Sequence, residues 1–340
     1  MRKGANTSKE ELIEDSSINH RVIIPLYIPV EEGYYKDAFS IFTMCLNSIQ
    51  NTSIYNLKIT VVSDGCCDSV NSRLYELFQK NAINELIIEK DNIGKINAIL
   101  KGLRTVNEQF VTITDADILF LKEWDNQVFK VFSVFEKAAV VSPIPVFRKQ
   151  LSYTANIWLD YLFSKDLKFR EVKNPKALEI FAKSLGWPYL EDKYKDLILT
   201  LKKNNFIAVV SAAHCVATYK TKYLKNIPKE NSIYKLGGHS EGDYLDSPPY
   251  QLDGYRLSTY NNYAYHLGNE KEDWATSVYN AQVKVIDKKD LQAFEILEPE
   301  FKPIKLFLTK VFLGLLKYRK TYDLLLLKKG LPKQKLMNFR

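Results

Sequence analysis

Long apolar runs are missing from this chain of 340 residues. No stretch approaches the ~18 uncharged apolar residues that a membrane-spanning helix requires. The polar start (Lys3, Lys9, Glu10, Glu11, Glu14, Asp15) also lacks the hydrophobic segment of a signal peptide. The expectation is a protein that stays in the cytoplasm. Cysteine is scarce, with four residues (Cys45, Cys66, Cys67, Cys215). None stands in a CxxC or Cys/His zinc spacing, and adjacent Cys66 and Cys67 cannot easily bridge each other, so free thiols are expected. With 13 Gly and 12 Pro beside 46% hydrophobic and 26% charged residues, collagen-like repeats and extended disorder are excluded. The length allows two domains, or one large α/β domain with an appendage.

Basic charge is nearly absent as a surplus from the body of the chain. The net charge of +8 arises in residues 301–340, where 11 Lys/Arg accompany one acid, Asp323; the first 300 residues carry 37 bases and 39 acids. A nucleic-acid binder usually spreads its basic surface over the folded domain, so no nucleic-acid partner is expected.

What is present from Arg21 onward is an alternation of short β-branched runs with segments of helical period. Strands are expected at 22–27, 57–62, 86–88, 110–114 and 140–146, with helices at 39–49, 70–78, 96–103 and 124–135 between them. This pattern predicts a doubly wound, mostly parallel α/β sheet. Residues 150–205 show helix-like stretches (157–163, 177–185, 194–201) and read as a helical insertion. A strand at 206–213 returns to the sheet, a polar Gly-containing loop follows at 237–246, and a further strand is expected at 255–260.

In such sheets ligands bind beyond the carboxyl ends of the strands. Those ends are polar here: Pro25 and Tyr27, then SDGCCD (63–68), DNIGK (91–95) and DAD (115–117). Asp115 and Asp117 are two apart after an apolar run, and in extended backbone they point to one face. Paired carboxylates suit a hard divalent ion such as Mg²⁺ or Mn²⁺.

With IIPLY on the first strand, VVSDGCCD on the second, NIGKINAIL opening the third helix and TDAD after the fourth strand, residues 21–148 resemble the nucleotide-sugar-binding half of glycosyltransferase family 2, of the GT-A fold. The resemblance continues patchily to Asn269. It implies that Pro25 and Tyr27 lie along a nucleoside, that Asp64 accepts a hydrogen bond from the base, usually uracil, and that Lys95 approaches the pyrophosphate or ribose. It also implies that Asp115 contacts ribose or metal, that Asp117 binds the metal, and that His266 in YAYHLGN completes the metal shell. One departure is Ser63, where the family has the first acid of its pair. Residues 149–270 would bind the acceptor and supply a base. Asp243 stands where the family places an acid, about eleven residues before Gly254 and Tyr255, but its usual acidic partner is Gly242, and Pro248 and Pro249 are expected to break the following helix. Glu241 is the rival base. Trp187, Tyr189 and His239 are expected at an acceptor cleft, and His214 packed beside Cys215.

Residues 1–20 are expected to be a flexible segment and 271–340 a C-terminal basic, helical extension. On a helical wheel Ile304, Phe307, Leu308, Val311, Leu315, Tyr318 and Tyr322 share one face, opposite Lys302, Lys305, Lys310, Lys317 and Lys320. Such a helix either lies on an anionic membrane surface or caps its own domain with the lysines in solvent. The functional expectation is a metal-dependent, inverting transferase that moves a sugar from a nucleotide-diphosphate donor, a UDP-sugar foremost, to a hydroxyl of a glycan or lipid-linked saccharide in cell-surface polysaccharide synthesis. The competing readings are a sugar nucleotidyltransferase, disfavoured because the acidic, aromatic PLYIPVEEGYY replaces the Gly-rich basic loop after the first strand, and a non-catalytic basic adaptor.

Overall fold

The structure is a computed structural model that describes residues 4, 8, 9, 11, 12 and 18–339. The flexible segment expected over 1–20 therefore lies largely outside the described residues. The first half alternates β1 (His20–Leu26), α1 (Ala38–Thr52), β2 (Lys58–Asp64), α2 (Asp68–Gln79), β3 (Glu85–Glu89), α3 (Lys95–Leu103), β4 (Phe110–Thr114), β5 (Ile118–Phe120), α4 (Trp124–Val134) and β6 (Ala138–Ser142). The second half adds α5 (Ala155–Asp160), β7 (Leu167–Glu171), α6 (Pro175–Ser184), β8 (Leu197–Lys203), β9 (Phe206–Val209) and β10 (Val216–Lys220). A π-helical turn (Gly242–Asp246) then runs into α7 (Ser247–Gln251), followed by β11 (Tyr255–Thr259), β12 (Ala264–His266), α8 (Asp273–Asn280), α9 (Pro303–Leu316) and α10 (Arg319–Lys328).

Ten strands form one sheet in the order β3-β2-β1-β4-β10-β6-β11-β9-β8-β7, and β12 pairs with β5 in a separate ribbon. The block β3-β2-β1-β4 is parallel throughout. β10 then enters antiparallel between β4 and β6, and β11 lies parallel to β6. Both faces of the sheet are buried because β1 is apolar at consecutive positions: Val22 and Ile24 join Phe42, Trp124 and Phe129 on one side, while Ile23 joins Ile96 and Ile99 on the other. Strands covered on both faces read as continuous apolar runs, which is why they were visible in sequence.

Three expectations change. The stretch 194–201 is not helical: Leu197–Lys203 is strand β8, paired with β7 and β9. An apolar run of that length has no period separating a buried strand from a helix, and only its two neighbours decide. Nor do Pro248 and Pro249 break the helix. They open α7, where missing N–H groups cost nothing, and the preceding segment widens to a π-turn in which the Ser247 N–H donates to the Gly242 carbonyl.

The third concerns the tail. α9 packs inward through Lys305, Thr309, Phe312 and Leu316, a stripe at i, i+4, i+7 and i+11. Lys305 Nζ reaches Asp160 at 2.7 Å and Asp253 at 2.5 Å, sharing both carboxylates with Lys137, so this lysine faces the body and not solvent. Tyr322 also turns inward, its hydroxyl accepting from Gln150 Nε2. Of the two readings of the apolar face, the one that packs it on the domain does not hold: apart from Tyr322 it is left outside. None of the described helices is long and apolar enough to cross a membrane, and all four cysteines are free thiols.

Candidate active site

The parallel register brings the carboxyl ends of β1, β2 and β4 to one edge. At the end of β2, buried Asp64 accepts the backbone N–H groups of Ile93 at 2.7 Å and Gly94 at 3.1 Å, which fastens the 91–94 loop over the sheet edge. Burial, more than any neighbour, pushes its carboxyl up, against those two hydrogen bonds. Ser63, the departure noted in the paired-acid motif, is buried and donates to Asn71 Oδ1. Gly94 has φ +95°, and a Cβ there would lie 2.8 Å from Lys235 Cα and 2.9 Å from the Tyr234 carbonyl. That close approach exists because the Lys235 carbonyl accepts the Lys95 N–H, strapping residues 234–236 across the start of α3.

Lys95, the first residue of α3, extends its Nζ to Asp115 Oδ1 at 2.6 Å and to Glu241 Oε1 at 3.8 Å. Burial alone would lower its pKa, but the charge and hydrogen bond of Asp115, with Glu241 behind, hold it raised. Asp115 and Asp117 lie in a turn between β4 and β5, not in the extended backbone expected, and the turn still aims both at one point. It is pinned on both sides, Asp115 N–H to the Cys215 carbonyl at 2.7 Å and Leu267 N–H to the Asp117 carbonyl at 2.8 Å.

The second pin continues the β5–β12 ribbon, which places His266 opposite Ile118. Its Nε2 stands 3.4 Å from Asp117 Oδ2, and ligand atoms of Asp115, Asp117 and His266 all lie within 4.8 Å of one another. His266 Nδ1 is 2.9 Å from Ser184 Oγ, and that hydroxyl donates its one proton to the Phe181 carbonyl. Ser184 therefore accepts from Nδ1–H, which turns Nε2 toward Asp117. The Asp117 carboxyl is pushed up to about 6, first by burial and then by Asp115, with His266 and Lys95 opposing. Its Oδ1 is buried without a hydrogen-bond partner. Two carboxylates, one with an oxygen left unpartnered, and an imidazole nitrogen fit a divalent cation.

Beside this cluster opens a cavity of about 490 Å³. Pro25, Tyr27, Asp64, Lys95, Asp115 and Asp117, all chosen from the sequence, line it together. Tyr34, Tyr35 and Asn92 line it too, as do Lys235 and Leu236, which were not anticipated because nothing local marks a loop that returns from over a hundred residues away.

Residues 35–198 match the family model for Glycosyl transferase family 2. Over that span, just under half of its length, the chain is similar to family 2 glycosyltransferases. A relative named as an uncharacterized glycosyltransferase, from Haemophilus influenzae (strain ATCC 51907 / DSM 11121 / KW20 / Rd), is 23% identical over 299 residues, covering 80% of this chain and 82% of its own. Among solved structures, S. aureus TarS 1-349 in complex with UDP-GlcNAc aligns over 95% of this chain and 71% of that one, at 16% identity and TM-score 0.44. GalNAc-T7 with UDP, GalNAc and Mn²⁺ aligns over 76% and 45%, at 11% and 0.46. The chain spans 38% of the longer TarS structure, at 16% identity and TM-score 0.42.

The two acids weighed as base stand apart. Glu241 sits with Lys95 and the Ser240 hydroxyl, 3.4 Å away, whereas Asp243 is exposed on the π-turn and makes no ion pair among the described residues. A third acid of the same segment, Asp246, is fully buried against Arg256, and its Oδ2 lies 3.0 Å from His214 Nδ1. His214 precedes the residue that binds Asp115, so it belongs to the edge of the site and not merely beside Cys215. His239 is exposed with φ +63°, its carbonyl accepting the Asp243 N–H. Trp187 packs edge-on against Phe147 and Tyr194, Tyr189 is exposed, and neither lines the cavity.

Proposed function

We propose that this enzyme transfers a sugar from a uridine-diphosphate donor to an acceptor hydroxyl with inversion, residues 21–148 holding the donor and 149–270 the acceptor. The reading rests on the cavity in which Tyr27, Asp64, Lys95 and the Asp115–Asp117 turn converge. Tyr27 offers an exposed aromatic face to a base, and Asp64 keeps lone pairs beyond its two backbone bonds to accept an imide N–H. Lys95 neutralises phosphate charge, with Asp115 and Glu241 fixing its position in the absence of donor. Asp115, Asp117 and His266 would hold the cation, Mn²⁺ in preference to Mg²⁺ because an imidazole joins the carboxylates. When bound, a divalent ion stabilises the charge that develops on a departing diphosphate.

Asp243 takes the acceptor's proton. Unlike Glu241 it is not engaged by a cation, and it faces the solvent from which an acceptor arrives. The proton passes to its carboxylate as the acceptor oxygen bonds to the anomeric carbon, and the pair of the breaking carbon–oxygen bond leaves with the diphosphate.

A thermal-shift panel of UDP-, GDP-, dTDP- and CMP-linked sugars, each with and without Mn²⁺, tests the assignment. A rise in melting temperature confined to UDP compounds and dependent on Mn²⁺ is expected. Stabilisation by another base, or by none, refutes it.

A further inference from the structure

The stripe that joins α9 to the body leaves a continuous apolar surface facing outward. Ile304 is 77% exposed, Phe307 65%, Leu308 50%, Val311 44%, Leu315 49% and Tyr318 70%. Large side chains this exposed and this contiguous mark a surface built to be covered. The helix cannot simply roll to hide them, because its opposite face is fixed by Lys305 between Asp160 and Asp253 and by buried Thr309, Phe312 and Leu316.

Charge identifies the cover. Lys310, Lys317, Arg319, Lys320 and Lys328 are all exposed around the apolar face, and the only acid of residues 301–340 is Asp323. An apolar strip rimmed by cations matches a surface that is apolar below and anionic at its face, which is the boundary of a bilayer containing acidic lipids. Geometry agrees with a flat pose. The 14 residues of α9 extend about 21 Å, short of the ~30 Å hydrocarbon core, so the helix can lie in the interface but not span it.

We propose that α9, with the start of α10, is a monotopic docking surface that seats the enzyme on anionic membrane by inserting Phe307, Leu308, Val311 and Leu315 between headgroups while the flanking lysines bind phosphate. This proposal does not depend on the donor chemistry. Both use the full chain, but the donor panel needs no lipid and the docking assay needs no donor.

The test is co-sedimentation of the full chain with vesicles of phosphatidylcholine alone or mixed with phosphatidylglycerol, beside the Leu308→Asp/Val311→Asp and Lys310→Glu/Lys317→Glu variants. The wild type should bind the mixed vesicles and be released by salt. Each double variant should bind at least about tenfold more weakly, because each removes part of the apolar or the cationic contribution. All substituted side chains are exposed, so melting temperature should be unchanged. Failure of the wild type to bind mixed vesicles, or binding indifferent to the paired aspartates, overturns the proposal. So does a wild-type dimer in lipid-free solution that the aspartates dissociate, which would give the face to a second copy of the chain.

Discussion

Replacing Asp117 by Asn should make the metal-free enzyme more stable while abolishing its response to metal. Its carboxyl is held at about 6 in the fold, against 3.8 as the ordinary value, chiefly by burial and then by Asp115. A folded state with a raised carboxyl pKa binds the proton more tightly than the unfolded chain does. The ionised form therefore costs stability: the penalty is absent below pH 3.8 and grows as pH rises through about 6. At ~1.4 kcal/mol per pKa unit the ceiling is roughly 3 kcal/mol. The side chain keeps 28% of its exposure and loses its attraction to His266 on substitution, so about 1–2 kcal/mol is the recoverable part. Asp117→Asn, similar in shape and uncharged, should thus raise the denaturation midpoint of chelator-treated protein at pH 7.5, and the advantage should shrink toward pH 4. Addition of Mn²⁺ should then raise the melting temperature of the wild type and leave the variant unmoved, with transfer lost. A variant less stable than wild type at pH 7.5 without metal, or one that still gains from Mn²⁺, would refute the reasoning.

Gly94→Ala places a methyl against backbone at 2.8 and 2.9 Å and strains a φ of +95°; a stability loss of about 2–3 kcal/mol and a higher KM for donor are expected, checked by urea unfolding and initial rates. Asp243→Asn should lower kcat at least about 100-fold with donor-induced thermal shift intact, whereas Glu241→Gln, which loosens Lys95, should act mainly on donor KM; equal effects would remove the distinction drawn between them. Lys305→Met leaves Asp160 to Lys137 and the Tyr255 hydroxyl, and Asp253 to Lys137 and a longer contact with Lys302, and should cost about 2 kcal/mol, with hydrogen exchange rising first in α9; exchange unchanged in α9 would show that apolar packing alone holds it.

How far these features were legible follows from sequence distance. The parallel half declared itself because each strand is a continuous apolar run ended by a polar loop, so the side chains gathered at Pro25, Asp64, Lys95 and Asp115 could be chosen one by one. Contacts between distant segments left no such mark. The Lys235 strap over Gly94, the Ser184 partner of His266 and the Asp246–His214 pair each join residues whose nearness is created only by the completed sheet. Strand β8 was misjudged because its pairing partners, not its own pattern, make it a strand. The tail was read by polarity, which grouped Lys305 with the solvent lysines. The inward stripe of Lys305, Thr309, Phe312 and Leu316 mixes charge, hydroxyl and hydrocarbon, and only the acids Asp160 and Asp253 waiting beneath it give that stripe a direction.

Ser184 ends α6, inside the segment added between β6 and β9, yet its hydroxyl fixes which nitrogen of His266 is turned to Asp117. If the proposed function holds, drift in that peripheral segment would reach the residues that would grip a cation, so reshaping it for a new acceptor would also retune the donor end.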